Sequence, residues 1–86
     1  MQIREELKQF VIDNFLFGRD GNLKDDDSFL EKGIIDSTGL LELIAFLEQR
    51  FGVEFQDGDL VPENLDSIQR VVRSVHERQR ATQEVN

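Results

Sequence analysis

The stretch Gly33-Ile34-Ile35-Asp36-Ser37-Thr38-Gly39-Leu40-Leu41-Glu42-Leu43, continued through Phe51-Gly52, holds the change from loop to amphipathic helix on which the fold turns. Leu40, Leu43, Ile44, Leu47 and Phe51 recur at helical spacing and form one apolar stripe. A helix is expected to open at Asp36 or Ser37, since either side chain accepts from the free amides of a first turn. It should close at Phe51, because Gly52 supplies the left-handed residue that commonly ends a helix. Opposite the stripe lie Glu42, Ala45, Phe46 and Gln49, with Leu41 and Glu48 on the shoulder. A face that sets Leu41, Ala45 and Phe46 among charges reads as a docking surface, not as a purely solvated one.

Upstream, Ile3, Leu7, Phe10, Val11 and Phe15 place a first helix over residues 2–15, ended by Gly18 and the turn chemistry of Arg19-Asp20-Gly21-Asn22. Residues 18–35 then form a loop of unusual length, a kind often functional, expected to be pinned to the core by Phe29, Leu30, Ile34 and Ile35. Downstream, Asp57-Gly58-Asp59 is a turn, and Leu60 to Leu65 suit a short helix with Pro62 near its start. A last helix is expected to open with Asp66 as N-cap and Gln69 completing an approximate capping box. Its apolar stripe is Ile68, Val71, Val72 and Val75, and Arg70, Arg73, Arg78 and Arg80 load its outer face and C-terminal half. The pattern stops at Arg80, which sets one domain over residues 1–80 and a frayed tail over 81–86. Gly52-Val53-Glu54-Phe55 alternates briefly, but without a pairing partner it makes no sheet. The expected fold is all-α: a small four-helix bundle of three longer helices and a short third one, with a long loop between the first two.

At 86 residues the chain suits a single domain that buries about 60–65% of its unfolded surface. With no cysteine it has no disulfide, thiolate metal site or cysteine nucleophile, so any thiol chemistry must come from an attached group. His76 is the only histidine, and Ser37 has neither histidine nor lysine beside it in sequence, which argues against an enzyme. A net charge of −8 repels phosphate backbones and anionic lipid and favours partners with basic patches. Neither a membrane-length apolar run nor a signal-peptide pattern is present, so a cytoplasmic monomer without nucleic-acid or membrane partners is the expectation.

The residues from about Phe29 to Phe55, extended through Pro62-Glu63-Asn64-Leu65-Asp66-Ser67-Ile68, resemble the acyl carrier protein family. The pattern is Gly33, two apolar residues, Asp36-Ser37 and Glu42-Leu43, followed by Leu47-Glu48, Phe51-Gly52-Val53-Glu54 and the acidic turn at Asp57 and Asp59. Asp-Ser alone is usually just a helix cap; the register of the full pattern carries the resemblance. It implies a non-catalytic carrier whose Ser37 is esterified to 4′-phosphopantetheine from coenzyme A by a phosphopantetheinyl transferase, with Asp36 serving transferase recognition. An acyl group would then ride as a thioester on the arm, in fatty acid or polyketide biosynthesis. The resemblance also implies that Glu42 and Glu48, joined by Asp59 and Glu63 near the short helix, meet basic patches on adenylating ligases, synthases or transferases, with Leu41 and Ala45 as apolar contacts between them.

Thr38 stands where the family commonly has leucine, and Gly39 where aspartate is typical. Asp-Ser-Thr-Gly after Gly-Ile-Ile also resembles stand-alone carriers that serve dedicated adenylating ligases, D-alanyl carriers among them. An aminoacyl cargo therefore stays open beside an acyl one, although peptidyl carriers usually show Gly-Gly-x-Ser before this helix. Two further readings belong to other classes. Asp20, Asn22, Asp25, Asp26 and Asp27 crowd one loop, but an EF-hand starting at Asp20 would need glycine where Asp25 stands. An unmodified interaction module of the same fold would have no need of the Asp36-Ser37 pair.

Overall fold

The computed structural model describes residues 2–18 and 23–84, with side chains described as far as Arg80. Its helices are α1 (Ile3–Phe15), α2 (Ser37–Phe51), α3 (Pro62–Leu65) and α4 (Ile68–Glu84), with a 3-10 turn over Asp57–Asp59 and no strand among the described residues. The all-α bundle with a short third helix is as the sequence pattern requires. The turn over 19–22 and residues 85–86 lie outside the described residues. α4 passes the expected end at Arg80 and continues to Glu84, since an established helix propagates readily through alanine, glutamine and glutamate.

Leu7 and Val11 of α1, Leu43, Ile44 and Leu47 of α2, and Ile68, Val71 and Val75 of α4 meet in one buried core. Leu65 closes it from α3, and Leu23, Phe29, Ile35 and Val53 fill it from the connections. Along the α1–α2 seam, Phe10 stacks on Phe46 at 4.0 Å between ring centroids, with Phe15 and Phe51 edge-on at either end. Phe46 therefore does not belong to the exposed face of α2. It is half-buried against α1 because the Phe10 ring offers a larger apolar partner than water does. Arg50 adds an ion pair to Glu6 across the same seam.

The long loop is stitched to the bundle at several points. Arg4 reaches Asp25, the Asp25 carbonyl accepts from the Gln69 amide at 2.9 Å, and Asp27 accepts from the Lys24 amide at 2.9 Å. The bond from Arg4 holds the Asp25 carboxyl below the ordinary carboxylate range, and the Lys24 amide, aided by Lys32, does the same for Asp27. Phe29 and Ile35 are fully buried, but Leu30 is 38% exposed and does not anchor the loop as expected. The anchor is Asp66. Its carboxylate accepts from Ser28 Oγ at 2.5 Å and from the Leu30 amide at 3.0 Å, and its carbonyl accepts from the Phe29 amide at 3.0 Å.

Asp66 is thus not the N-cap of α4, and no capping box with Gln69 forms. It is the C-cap of α3, one position too early to reach the first amides of α4. Ser67 takes that role, accepting from the Arg70 amide at 3.1 Å. The buried Ser74 hydroxyl donates to the Asn64 carbonyl at 3.0 Å, which ties α3 flat against α4.

Candidate functional site

Asp36 is the N-cap of α2, extended at φ −94° and ψ −177°, and its Oδ1 accepts from the Gly39 amide at 2.7 Å. Ser37 consequently occupies the first helical position, with its side chain exposed and free of hydrogen bonds to the described residues. The amides of Ser37 and Thr38 belong to the first turn and have no intrahelical acceptor. A hydroxyl thus stands open at the positive end of the α2 dipole, where an anionic substituent is stabilised. The shape of the turn depends on Gly39, which is buried: a Cβ there would lie 2.9 Å from both Ile35 Cγ2 and Phe15 Cε1. Gly39 thereby lets the start of α2 press against the end of α1.

Beside Ser37 a cavity of about 250 Å³ opens, lined by Leu30, Leu40, Leu41, Ile44, Leu60, Pro62 and Leu65. Ser37 supplies its only hydroxyl, and every other lining residue is apolar. The volume lies just below the range of drug-sized ligand pockets, enough for a short apolar chain. The cavity escapes sequence reading because Leu30, Leu60 and Leu65 come from three separate segments. The partial exposure of Leu30 and Leu60 follows from their place at its mouth.

The docking candidates divide by what their side chains already do. Leu41, at 62% exposed, lies one turn after Ser37, and Glu42 and Ala45 are exposed beside it. Glu63 is exposed at the start of α3, where its carbonyl accepts from Arg70 and Arg73, each at 3.3 Å. Glu48 instead turns its Oε2 back to the Phe55 amide at 3.0 Å. Asp59 accepts from the Gln56 amide and pairs with Arg78 at 3.2 Å. Both carboxylates thus hold the chain between α2 and α3. In the acidic loop, Asp25 and Asp27 are engaged by Arg4 and Lys32, Asp26 is exposed, and Asp20 and Asn22 lie outside the described residues.

A family model for the phosphopantetheine attachment site matches residues 16–75. The acyl carrier protein of Chlamydia trachomatis serovar D is 32% identical over 79 residues, covering 92% of this chain and 99% of that protein. The D-alanyl carrier protein of Streptococcus uberis is 33% identical over 78 residues, covering 87% of this chain and 98% of its own. Among solved structures, that of KstB-PCP(apo) superposes with a TM-score of 0.75 at 35% identity, covering 92% of this chain and 88% of that one. The chain belongs to the family of carrier proteins that bear a covalently attached 4′-phosphopantetheine.

Proposed function

We propose that this carrier bears its arm on Ser37 Oγ and presents an apolar acyl group to partner enzymes that dock on the exposed face of α2. The observation that carries the reading is an exposed, unbonded hydroxyl at the first position of α2, opening on an apolar cavity of about 250 Å³. Ser37 would hold the phosphopantetheine through its hydroxyl, and the group supplies a thiol that carries the acyl chain as a thioester. Asp36 fixes the first turn through Gly39 and leaves its outer carboxylate edge to a transferase. The Ser37 and Thr38 amides favour the phosphate charge. Leu30, Leu40 and Leu60 shelter an apolar cargo from water, which stabilises the loaded form by removing apolar surface from solvent.

Leu41, Glu42, Ala45 and Glu63 form the docking face for a phosphopantetheinyl transferase and for a ligase, synthase or transferase with basic patches, and Glu48 and Asp59 support its frame. Catalysis belongs to those partners: no histidine lines the Ser37 cavity, and His76 is exposed on α4.

A D-alanyl or other aminoacyl cargo is the second reading, favoured by the similarity to a D-alanyl carrier at 33% identity. Such a small polar group would leave the cavity unused. The reading is tested by intact mass after incubation with coenzyme A, magnesium and a broad-specificity phosphopantetheinyl transferase. One added phosphopantetheinyl group and one new titratable thiol are expected in the wild type, and neither in Ser37→Ala. That variant should keep its stability, because the cap is Asp36. Methyl NMR shifts of Leu40 and Leu60 on octanoyl but not D-alanyl loading would assign the cargo as acyl; the reverse dependence on ligase substrate would assign it as aminoacyl.

A further inference from the structure

The walls of the Ser37 cavity differ in what holds them. Leu40 and Ile44 stand on α2 and Leu65 on α3, each half-buried or buried against the core. Leu30 and Leu60 come from the irregular connections and are 38% and 37% exposed. The room left for a chain therefore depends on how firmly those two connections are held. Leu60 is fixed by its own neighbourhood: its amide donates to the Asp57 carbonyl at 3.2 Å, and the Asn64 side chain donates to the Asp59 carbonyl at 3.0 Å.

Leu30 is fixed from a distant segment. Its amide donates to Asp66 Oδ1 at 3.0 Å, and Asp66 directly follows Leu65, another lining residue. The second carboxylate oxygen of Asp66 accepts from Ser28 Oγ at 2.5 Å, and Ser28 Oγ accepts in turn from the Glu31 amide at 3.1 Å. The Gly33 amide closes on the Leu30 carbonyl at 3.2 Å, a bond within the same turn that moves with it. One carboxylate at the end of α3 thus clamps the turn that carries Leu30 to the helix that gives Pro62 and Leu65 to the same cavity. Phe29, next to Leu30, is fully buried, so loss of this clamp should free Leu30 without releasing the turn from the core.

We propose that Asp66 is a positioning residue that limits the length of the cargo, by holding Leu30 over the cavity. The inference rests on the reading above, in which Ser37 bears the arm and the cavity shelters an acyl group. At about 30 Å³ per carbon, the share a small molecule takes in a liquid, a cavity of about 250 Å³ holds a chain of about eight carbons. A longer chain leaves its outer carbons in water unless a wall gives way. The arm is flexible and tethered beside the cavity, so the chain on its thiol meets the cavity at high effective concentration.

Transfer from hexanoyl-, octanoyl-, decanoyl- and dodecanoyl-coenzyme A by a broad-specificity phosphopantetheinyl transferase loads the carrier with chains of known length. The readout is the melting temperature of each loaded form minus that of the same variant bearing the arm alone, so stability lost to a substitution cancels. Wild type should gain about 3 °C or more from hexanoyl to octanoyl and under about 1 °C from octanoyl to dodecanoyl. Asp66→Ala should go on gaining to dodecanoyl. Asp66→Asn, whose side chain still accepts from the Leu30 amide, should level off with wild type. Leu30→Ala leaves Asp66 in place and should also go on gaining, which keeps the limit testable if Asp66→Ala does not fold.

A wild type that gains steadily through dodecanoyl overturns the limit. A plateau left at octanoyl in Asp66→Ala or in Leu30→Ala overturns the clamp, since a merely structural role lowers every melting temperature of a variant without moving its plateau. An Asp66→Asn plateau that moves with Asp66→Ala overturns it too, by assigning the effect to charge. A wild type that takes the arm but gains from no acyl chain overturns the sheltered cargo and the limit together, and one that takes no arm overturns the Ser37 reading itself.

Discussion

Gly39 sets the distance between the first turn of α2 and the end of α1. In most helices glycine is a liability of about 1 kcal/mol relative to alanine. Here a methyl group would press on the half-buried Phe15 ring and on Ile35, each at 2.9 Å, and Ile35 is fully buried in the core. Gly39→Ala should therefore lose about 1 kcal/mol net, the overpacking penalty exceeding the gain in helix propensity. Urea denaturation at unchanged m-value would read the loss; a stabilised variant would mean that the two helices separate at little cost. That the family commonly has aspartate here makes the position look merely divergent in sequence. Its packing role shows only once Phe15 and Ile35 converge on it.

At the scale of elements, the connection between α1 and α2 owes its place to hydrogen bonds from distant residues as much as to its own apolar side chains. Asp66 alone receives Ser28, Leu30 and Phe29. Asp66→Ala should cost about 2 kcal/mol, the order expected when bonds to a charged, part-buried acceptor are lost. It should also raise amide exchange at Phe29 and Leu30 ahead of the helices. Exchange unchanged at those two amides would show that Phe29 burial holds the loop unaided.

Asp25 and Asp27 give the same connection an acid limit. Their folded pKa values lie below those of the unfolded chain, so the folded form binds fewer protons in the acid range. Their stabilisation is fully present above the unfolded carboxylate value near pH 4 and disappears as pH falls through the lower folded values. The stability gap between wild type and a doubly substituted Asp25→Asn, Asp27→Asn chain should be constant from about pH 7 to 5 and close below about pH 4. Chemical denaturation across that range would measure it. A gap that persists at low pH would assign the effect to shape and not to charge.

For the whole molecule, a net charge of −8 leaves Asp36 and Glu42 exposed at the start of α2 and Glu63 exposed on α3, where Arg70 and Arg73 of α4 reach its carbonyl. Reversing Glu42 and Glu63 to lysine should weaken binding to an enzyme with a basic patch and flatten the salt dependence of its on-rate. Both changes should shift stability by under about 0.5 kcal/mol, as surface substitutions usually do. Affinity measured at two ionic strengths decides the matter, and an unchanged slope would remove these residues from the interface. Glu48→Lys is a poor substitute in that experiment, because it also removes the acceptor of the Phe55 amide.

Much was determined by the sequence alone, and all of it concerns neighbours along the chain. The helical register of α1, α2 and α4, a cap at either Asp36 or Ser37, the stop at Gly52 and the acidic face beside Ser37 depend on residues within a turn or two of one another. Local spacing and capping chemistry encode such features directly. Only the tertiary structure decided that Phe46 turns inward, that Asp66 holds the loop while Ser67 caps α4, and that Leu30 stands at a cavity mouth. Each of these depends on a partner from a distant segment. A helix with apolar residues on two faces, or an acid between two elements, can satisfy more than one neighbour until packing brings one of them within reach.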